Sequence, residues 1–131
     1  MTSRILQPAG WPRPKGYSNG FLASGQTIWV AGQIGWDTEG KFAPDLGSQT
    51  ELALRNIAAV LAEADATPQH IVRMTWFLTD VADYQANLPA IGAAYGRVMG
   101  RHFPAMTVVQ VVRLVEAEAL IEIEAVAVLP S

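Results

Sequence analysis

Apolar and polar positions follow two different rhythms along this chain. The clearest alternation lies near the C-terminus, in IEIEAVAV. Ile121, Ile123, Ala125 and Ala127 fall on one face of a strand; Glu122 and Glu124 share the other with Leu120, Val126 and Val128. The first set reads as the core side, and the strand is expected over Leu120 to Val128. A neighbouring strand, Met106 to about Arg113, puts Met106, Val108, Gln110 and Val112 on one face and Thr107, Val109, Val111 and Arg113 on the other. VEAEA links the two. HIVRMTWFLTDV is apolar at nearly every position from Ile71 to Leu78, which predicts a strand in mid-sheet with both faces covered. YSNGFLAS and TIWVAGQIGW read as two more strands, joined at Gly25 and Gln26 as a hairpin.

The helical rhythm appears twice. Leu54, Ile57, Leu61 and Ala64, with Ala53 and Val60 beside them, mark a helix capped by Ser48 or Thr50 and ending near Glu63; Arg55 and Glu63 are its solvated residues. Asp80 is a suitable cap for a second helix, about Val81 to Met99, with Pro89 in the first turn of the helix proper after a lead-in through Tyr84. Pro8, Pro12 and Pro14 exclude a regular helix from the first sixteen residues and predict an extended lead-in. The order is β-β-α-β-α-β-β in one domain, residues 1–131. This is an α+β layout with two helices on one face of a mixed sheet. The other face needs a cover, and oligomerisation supplies one.

Composition sharpens this picture. Half of the residues are hydrophobic and only 16% are charged, which permits a core and leaves little charge for a monomer's surface. A net charge of −3 with singly scattered Lys and Arg lacks the footprint of nucleic-acid binding. There is no Cys, so disulfides, thiolate nucleophiles and Cys-based metal sites are excluded. The N-terminal residues lack a signal-peptide core and no apolar run reaches the ~20 residues of a membrane span, so a cytoplasmic location is expected.

Conventional catalytic motifs are missing. His70 and His102 match no metal spacing; His70 reads as a surface residue. Neither GxGxxG, GxxxxGK nor GxSxG occurs. What remains is Glu122 and Glu124, either a solvated sheet face or a carboxylate placed to handle a water molecule.

GYSNG (16–20), VAGQI (30–34), VRMTWFLTDVADY (72–84), FPAMTVVQVVRL (103–114) and IEIEAVAV (121–128) occur in the order and over the extent found in the Rid family, also known as YjgF/YER057c/UK114 or L-PSP. The chain resembles that family over nearly its whole length. The resemblance implies a chorismate-mutase-like fold and a homotrimer with ligand pockets in the clefts between subunits. It implies hydrolysis of reactive enamines and imines to a keto acid and ammonia, with no metal or organic cofactor. That there is no nucleic-acid or membrane partner is expected from the scattered charge and the short apolar runs, not from the resemblance.

Carried over position by position, the resemblance implies a substrate-packing Tyr17, a backbone contact at Gly32 and a water-handling Glu122. Met106, Thr107 and Val108 line the wall, with Ala31 beside Gly32. Two positions depart from the family pattern. Its carboxylate-clamping Arg is Met106, and its Ser is Ala31. A bidentate Arg–carboxylate contact is among the stronger polar contacts, so its loss disfavours 2-imino acids. It favours an uncharged or more apolar ligand held by Met106, Val108 and Tyr17. Arg73, Arg101 and Arg113 are the available substitutes, although Arg113 falls on the opposite strand face from Met106. The resulting expectation is a deaminase-like hydrolase of altered specificity. The alternatives are a non-catalytic trimeric ligand-binding protein and an L-PSP-type endoribonuclease.

Overall fold

The computed structural model describes residues 3–130. Six strands and three helices run in the order β1 (Ser3–Leu6), β2 (Gly20–Ala23), β3 (Gln26–Ile34), α1 (Leu46–Ala62), β4 (Ile71–Leu78), α2 (Val81–Ala86), α3 (Leu88–Met99), β5 (Ala105–Gln110) and β6 (Ile121–Leu129). Strands β3, β6, β4 and β5 lie side by side in that order, with β4–β5 parallel and the other pairs antiparallel. This is the mixed α+β sheet that the patterning predicts.

The alternation of β6 carries through. Ile121, Ile123, Ala125 and Ala127 are buried against the helices, together with Met74, Trp76 and Leu78 of β4 and Leu54, Ile57 and Leu61 of α1. Burying side chains of this size contributes roughly 1.5–3 kcal/mol each. The opposite sheet face has no helix. β4 is therefore interior to the sheet but covered on one side only, and its Arg73 is exposed.

Several local expectations are corrected. The first two expected strands do not form a hairpin. β2 pairs with β1, which arises from the extended lead-in, while β3 pairs with β6 nearly a hundred residues along the sequence. Hydrophobic alternation marks a strand but not its partner. Val60 and Ala64 are exposed, because α1 rests on the sheet through a narrower stripe. The expected long second helix breaks at Asn87, and Pro89 sits in the first turn of α3, where its missing N–H leaves no hydrogen bond unmade. β5 ends at Gln110, whose Oε1 accepts a hydrogen bond from the Val81 N–H at 2.8 Å.

Asp45, rather than Ser48 or Thr50, caps α1. The Ser48 N–H donates to the Asp45 carboxylate at 2.9 Å, and the Asp45 N–H donates back to Ser48 Oγ at 3.3 Å. The Ser48 N–H and the Ser48 hydroxyl, both donating to it, hold the Asp45 carboxyl below the usual carboxylate range. A group so lowered stabilises the fold above its unfolded pKa and loses that effect as pH falls through the folded value. Asp45→Ala is expected to cost about 1 kcal/mol near neutrality. Urea denaturation from pH 7 to pH 2 should show the gap to the parent closing in acid.

At the far end of β3, Gly35 lets the strand touch α1: a Cβ there would lie 2.5 Å from the Gln49 Cα. The Gln49 side chain is buried and clamps three segments, donating to the Ala43 and Glu118 carbonyls and accepting from the Leu120 N–H. Asn56 Nδ2 donates to the Ile34 and Trp36 carbonyls. These contacts fix the end of β3 just beyond an irregularity between Val30 and Gln33, at Ala31 and Gly32.

Candidate functional site

α1 lies on β3 and β6, and α3 packs chiefly on α1. Two helices side by side do not fill the area over four strands. The space left beneath α2 and α3, above β4 and β5, is a chamber of about 650 Å³, half open to solvent, within the ~300–1,000 Å³ common for small-molecule sites. Its floor is Trp76, Met106 and Val108, and Tyr84, Ile91 and Tyr95 form much of its roof. Tyr17 stands at its side, and Lys15 is the one charged residue in its lining.

Cross-strand register explains why Met106 and Val108 belong here. Met106 is opposite Met74 and Val108 opposite Trp76, so both share the helix-facing side of the sheet. Tyr17 is brought to them by the neighbouring Ser18, which is buried. The Ser18 N–H donates to the Pro104 carbonyl at 3.0 Å and its hydroxyl donates to the Phe103 carbonyl. Phe103 stacks on Tyr95 with centroids 5.6 Å apart, and the Tyr95 hydroxyl donates to the His102 carbonyl at 2.5 Å. Burial pushes the Tyr84 and Tyr95 phenols up, so both stay protonated across the physiological range. The buried Trp76 indole N–H has no hydrogen-bond partner among the described residues.

Gly92 and Gly96, one turn apart on α3, line the chamber, and a Cβ at either would meet no atom within 4 Å. Glycine inside a helix costs about 0.5–1 kcal/mol relative to alanine. Gly92→Ala and Gly96→Ala are each expected to raise stability by that amount while narrowing the chamber. Thermal denaturation measures the first effect, and ligand size preference the second.

The remaining candidate residues lie elsewhere. Glu122 is paired with Phe77, three residues from Met74, and so projects from the opposite, uncovered sheet face. Gly32 is beside it: a Cβ at Gly32 would lie 2.0 Å from Glu122 Oε2, so the glycine is what admits the carboxylate. Glu122 makes no hydrogen bond or ion pair among the described residues. Thr107 shares this face and accepts a hydrogen bond from Arg73 Nη2 at 3.3 Å. Ala31 lines a shallow hollow there with Trp29, Arg73, Thr75 and Glu124. The structure thus sorts the candidates into two groups, Tyr17–Met106–Val108 and Ala31–Gly32–Thr107–Glu122. Met106 and Glu122 are two strands apart and three residues out of register, roughly 14 Å, and on opposite faces.

None of the three arginines considered as substitutes lines the chamber. Arg73 is on the other face, Arg113 is exposed beyond β5, and Arg101 borders an adjoining cleft. His102 borders that cleft too, and its Nε2 lies 2.6 Å from the Ile71 carbonyl oxygen, an arrangement that makes Nε2 the protonated nitrogen. His70 is half-buried, its Nδ1 accepting from the Thr67 N–H. Sequence reasoning missed Trp76, Tyr84, Tyr95 and Phe103 as lining residues. Periodicity marks such side chains as core, and the helical Gly92–Gly96 spacing was the available sign of open space. Among the described residues, no cluster of three or more His, Asp or Glu is placed to hold a metal, and no helix is long and apolar enough to cross a membrane.

Comparison with known proteins gives a consistent result. The model of the family described as Endoribonuclease L-PSP matches residues 12–129. A RutC family protein of Synechocystis sp. is 36% identical over 135 residues, covering 100% of both chains. A 2-iminobutanoate/2-iminopropanoate deaminase of Capra hircus is 31% identical over 98% of this chain and 91% of its own. Among solved structures, the Rid family protein YyfB of Yersinia pestis superposes with a TM-score of 0.86 at 35% identity, covering 98% of this chain and 100% of that one. Escherichia coli TdcF with bound serine gives a TM-score of 0.70 at 29% identity, over 96% and 98%. With a family match over residues 12–129 and relatives aligned along nearly the full length, this chain belongs to the Rid family, also called RutC and endoribonuclease L-PSP.

Proposed function

We propose that this protein is a homotrimeric hydrolase of small imines or enamines whose pocket has exchanged a carboxylate clamp for an apolar contact. The observation that carries this reading is the position of Met106 in the chamber floor beside Trp76 and Val108, with Tyr17 at its side. The 2-iminobutanoate/2-iminopropanoate deaminase among its relatives supports the reaction class.

The division of the candidate residues supports the trimer. Met106 is on β5, one edge of the sheet, and Gly32 is on β3, the other edge, with Glu122 on the adjacent β6. One chain does not join the two groups. A head-to-tail contact would, by setting the β5 edge of one copy against the Gly32–Glu122 side of the next, and three such contacts close a ring. The uncovered sheet face is suited to burial in that ring. It carries Trp29, 77% exposed, with Phe77, Val109 and Val126.

In the completed site, the chamber holds the substrate's apolar body and Glu122 takes a proton from one water. The water oxygen bonds to the imine carbon, and the C=N electron pair moves to nitrogen, which takes up the proton that Glu122 removed from the water. The carbinolamine hydroxyl proton is then passed to nitrogen, the C–N bond breaks with its electron pair leaving on nitrogen, and ammonia and a carbonyl compound result. The imine carbon is already electrophilic, so positioning and proton transfer suffice. A non-catalytic binding role is favoured by the distance of Glu122 from the chamber within one chain. A ribonuclease role is disfavoured by the net charge of −3.

The test combines two measurements. Sedimentation should give about three times the 14.1 kDa chain mass. Ammonia release from a panel of imines, with and without carboxylates, should exceed the buffer rate for uncharged members. A monomer with no acceleration on any of the panel contradicts the reading.

A further inference from the structure

The chain has four methionines and no cysteine, so no thiol competes with them for an oxidant. Two of the methionines are sealed in the core: Met74 of β4 is 0% exposed, and Met99, the last residue of α3, is 1% exposed. Met1 lies outside the described residues. Met106 differs from Met74 and Met99. It is half-buried and lines the chamber, which is half open to solvent. A molecule small enough to enter that space meets its side chain.

Trp76 lies diagonally across from it. Met106 pairs with Met74 and Val108 with Trp76, all on the helix-facing side of the sheet, and both Met106 and Trp76 line the chamber floor. Side chains of this length at diagonal positions come within reach of one another. The Trp76 indole N–H is buried and has no partner among the described residues. A thioether sulfur is only a weak acceptor and does not satisfy such a donor. A sulfoxide oxygen at the same position is a far stronger one.

From this juxtaposition we infer that Met106 is an oxidation site, converted by hydroperoxides to the sulfoxide, whose oxygen accepts the Trp76 indole N–H. A sulfur lone pair attacks the terminal peroxide oxygen. An S–O bond forms as the O–O bond breaks, and the proton on the transferred oxygen moves to the departing one. Sulfur is oxidised by two electrons, and the hydroperoxide is reduced to an alcohol, or to water when it is hydrogen peroxide. The step turns a flexible apolar contact in the chamber floor into a polar one, and methionine sulfoxide reductases restore the thioether. It requires neither Glu122 nor hydrolysis, so it stands or falls separately from the proposed reaction.

Hydrogen peroxide is the probe. Folded protein is treated for graded times, quenched with catalase and digested. The gain of one oxygen is then measured by mass spectrometry for the peptides carrying Met74, Met99 and Met106. Met106 should react at least about 10-fold faster than the other two, and the difference should vanish when the chain is first unfolded in urea. In protein labelled with ¹⁵N at its tryptophan indoles, the Trp76 N–H resonance should move downfield in step with that reaction, with Trp11, Trp29 and Trp36 in place. Met106→Leu, which keeps the volume and apolar character, should leave the Trp76 resonance unmoved by the same treatment. Equal rates at the three methionines of the folded protein, or a difference that persists in urea, would overturn the inference. So would a stationary Trp76 resonance once Met106 is oxidised, or a shift that survives in Met106→Leu.

Discussion

Met106→Arg is expected to increase kcat/KM for hydrolysis of 2-iminobutanoate by about 10–100-fold. The estimate follows from two charge-assisted hydrogen bonds of ~1.5–3 kcal/mol each, reduced by the cost of desolvating the guanidinium, at 1.4 kcal/mol per tenfold. The position suits such a group: Met106 is half-buried on a chamber wall, with no acidic residue in the lining to compete for the new cation. Met106→Gln adds polarity at similar length without the fork and should give little gain. Met106→Lys should give less than arginine because an ammonium does not match a carboxylate at two points. Urea denaturation of each variant separates the kinetic effect from the cost of placing a polar group beside Met74 and Trp76, roughly 1–3 kcal/mol.

Glu122→Gln should have the largest effect in the opposite direction. Positioned proton transfer contributes typically ~10²–10⁴-fold, and the amide loses that capacity while retaining shape. Because Glu122 makes no hydrogen bond or ion pair among the described residues, the substitution should change folding stability by less than about 0.5 kcal/mol. The signature is a fall in kcat at nearly constant KM, measured by ammonia release, with an unchanged denaturation midpoint. An unaltered kcat would remove Glu122 from the reaction. Gly32→Ala should mimic part of this loss, since its Cβ would occupy the place of the carboxylate.

Much of the scaffold is legible in the sequence because it depends on local rhythm. The alternation of Ile121, Ile123, Ala125 and Ala127 against Glu122 and Glu124 fixes which side of β6 meets the core, and the helical spacing of Leu54, Ile57 and Leu61 does the same for α1. Partner choice is not local. Nothing in YSNGFLAS states that its strand pairs with Ser3–Leu6 rather than with the next strand, which pairs with β6.

The candidate site divides along the same line. Strand parity alone puts Met106 with Val108. It does not reveal that Glu122 faces the other way, because that relation requires the register Met74↔Met106 and Phe77↔Glu122 across three strands. Trp76 and Tyr95 look like ordinary core residues in the sequence, and they are buried. Only the geometry shows that α3 leaves a space beside them.

The most direct test of the proposed exchange at Met106 is the selectivity of the unaltered protein. Its rate acceleration over buffer should be measured for 2-iminobutanoate and for the uncharged imine of butanone, which has the same number of carbons. The expected result is at least about 10-fold greater kcat/KM for the uncharged compound, the equivalent of ~1.4 kcal/mol. A preference for the imino acid with Met106 in place would contradict the account.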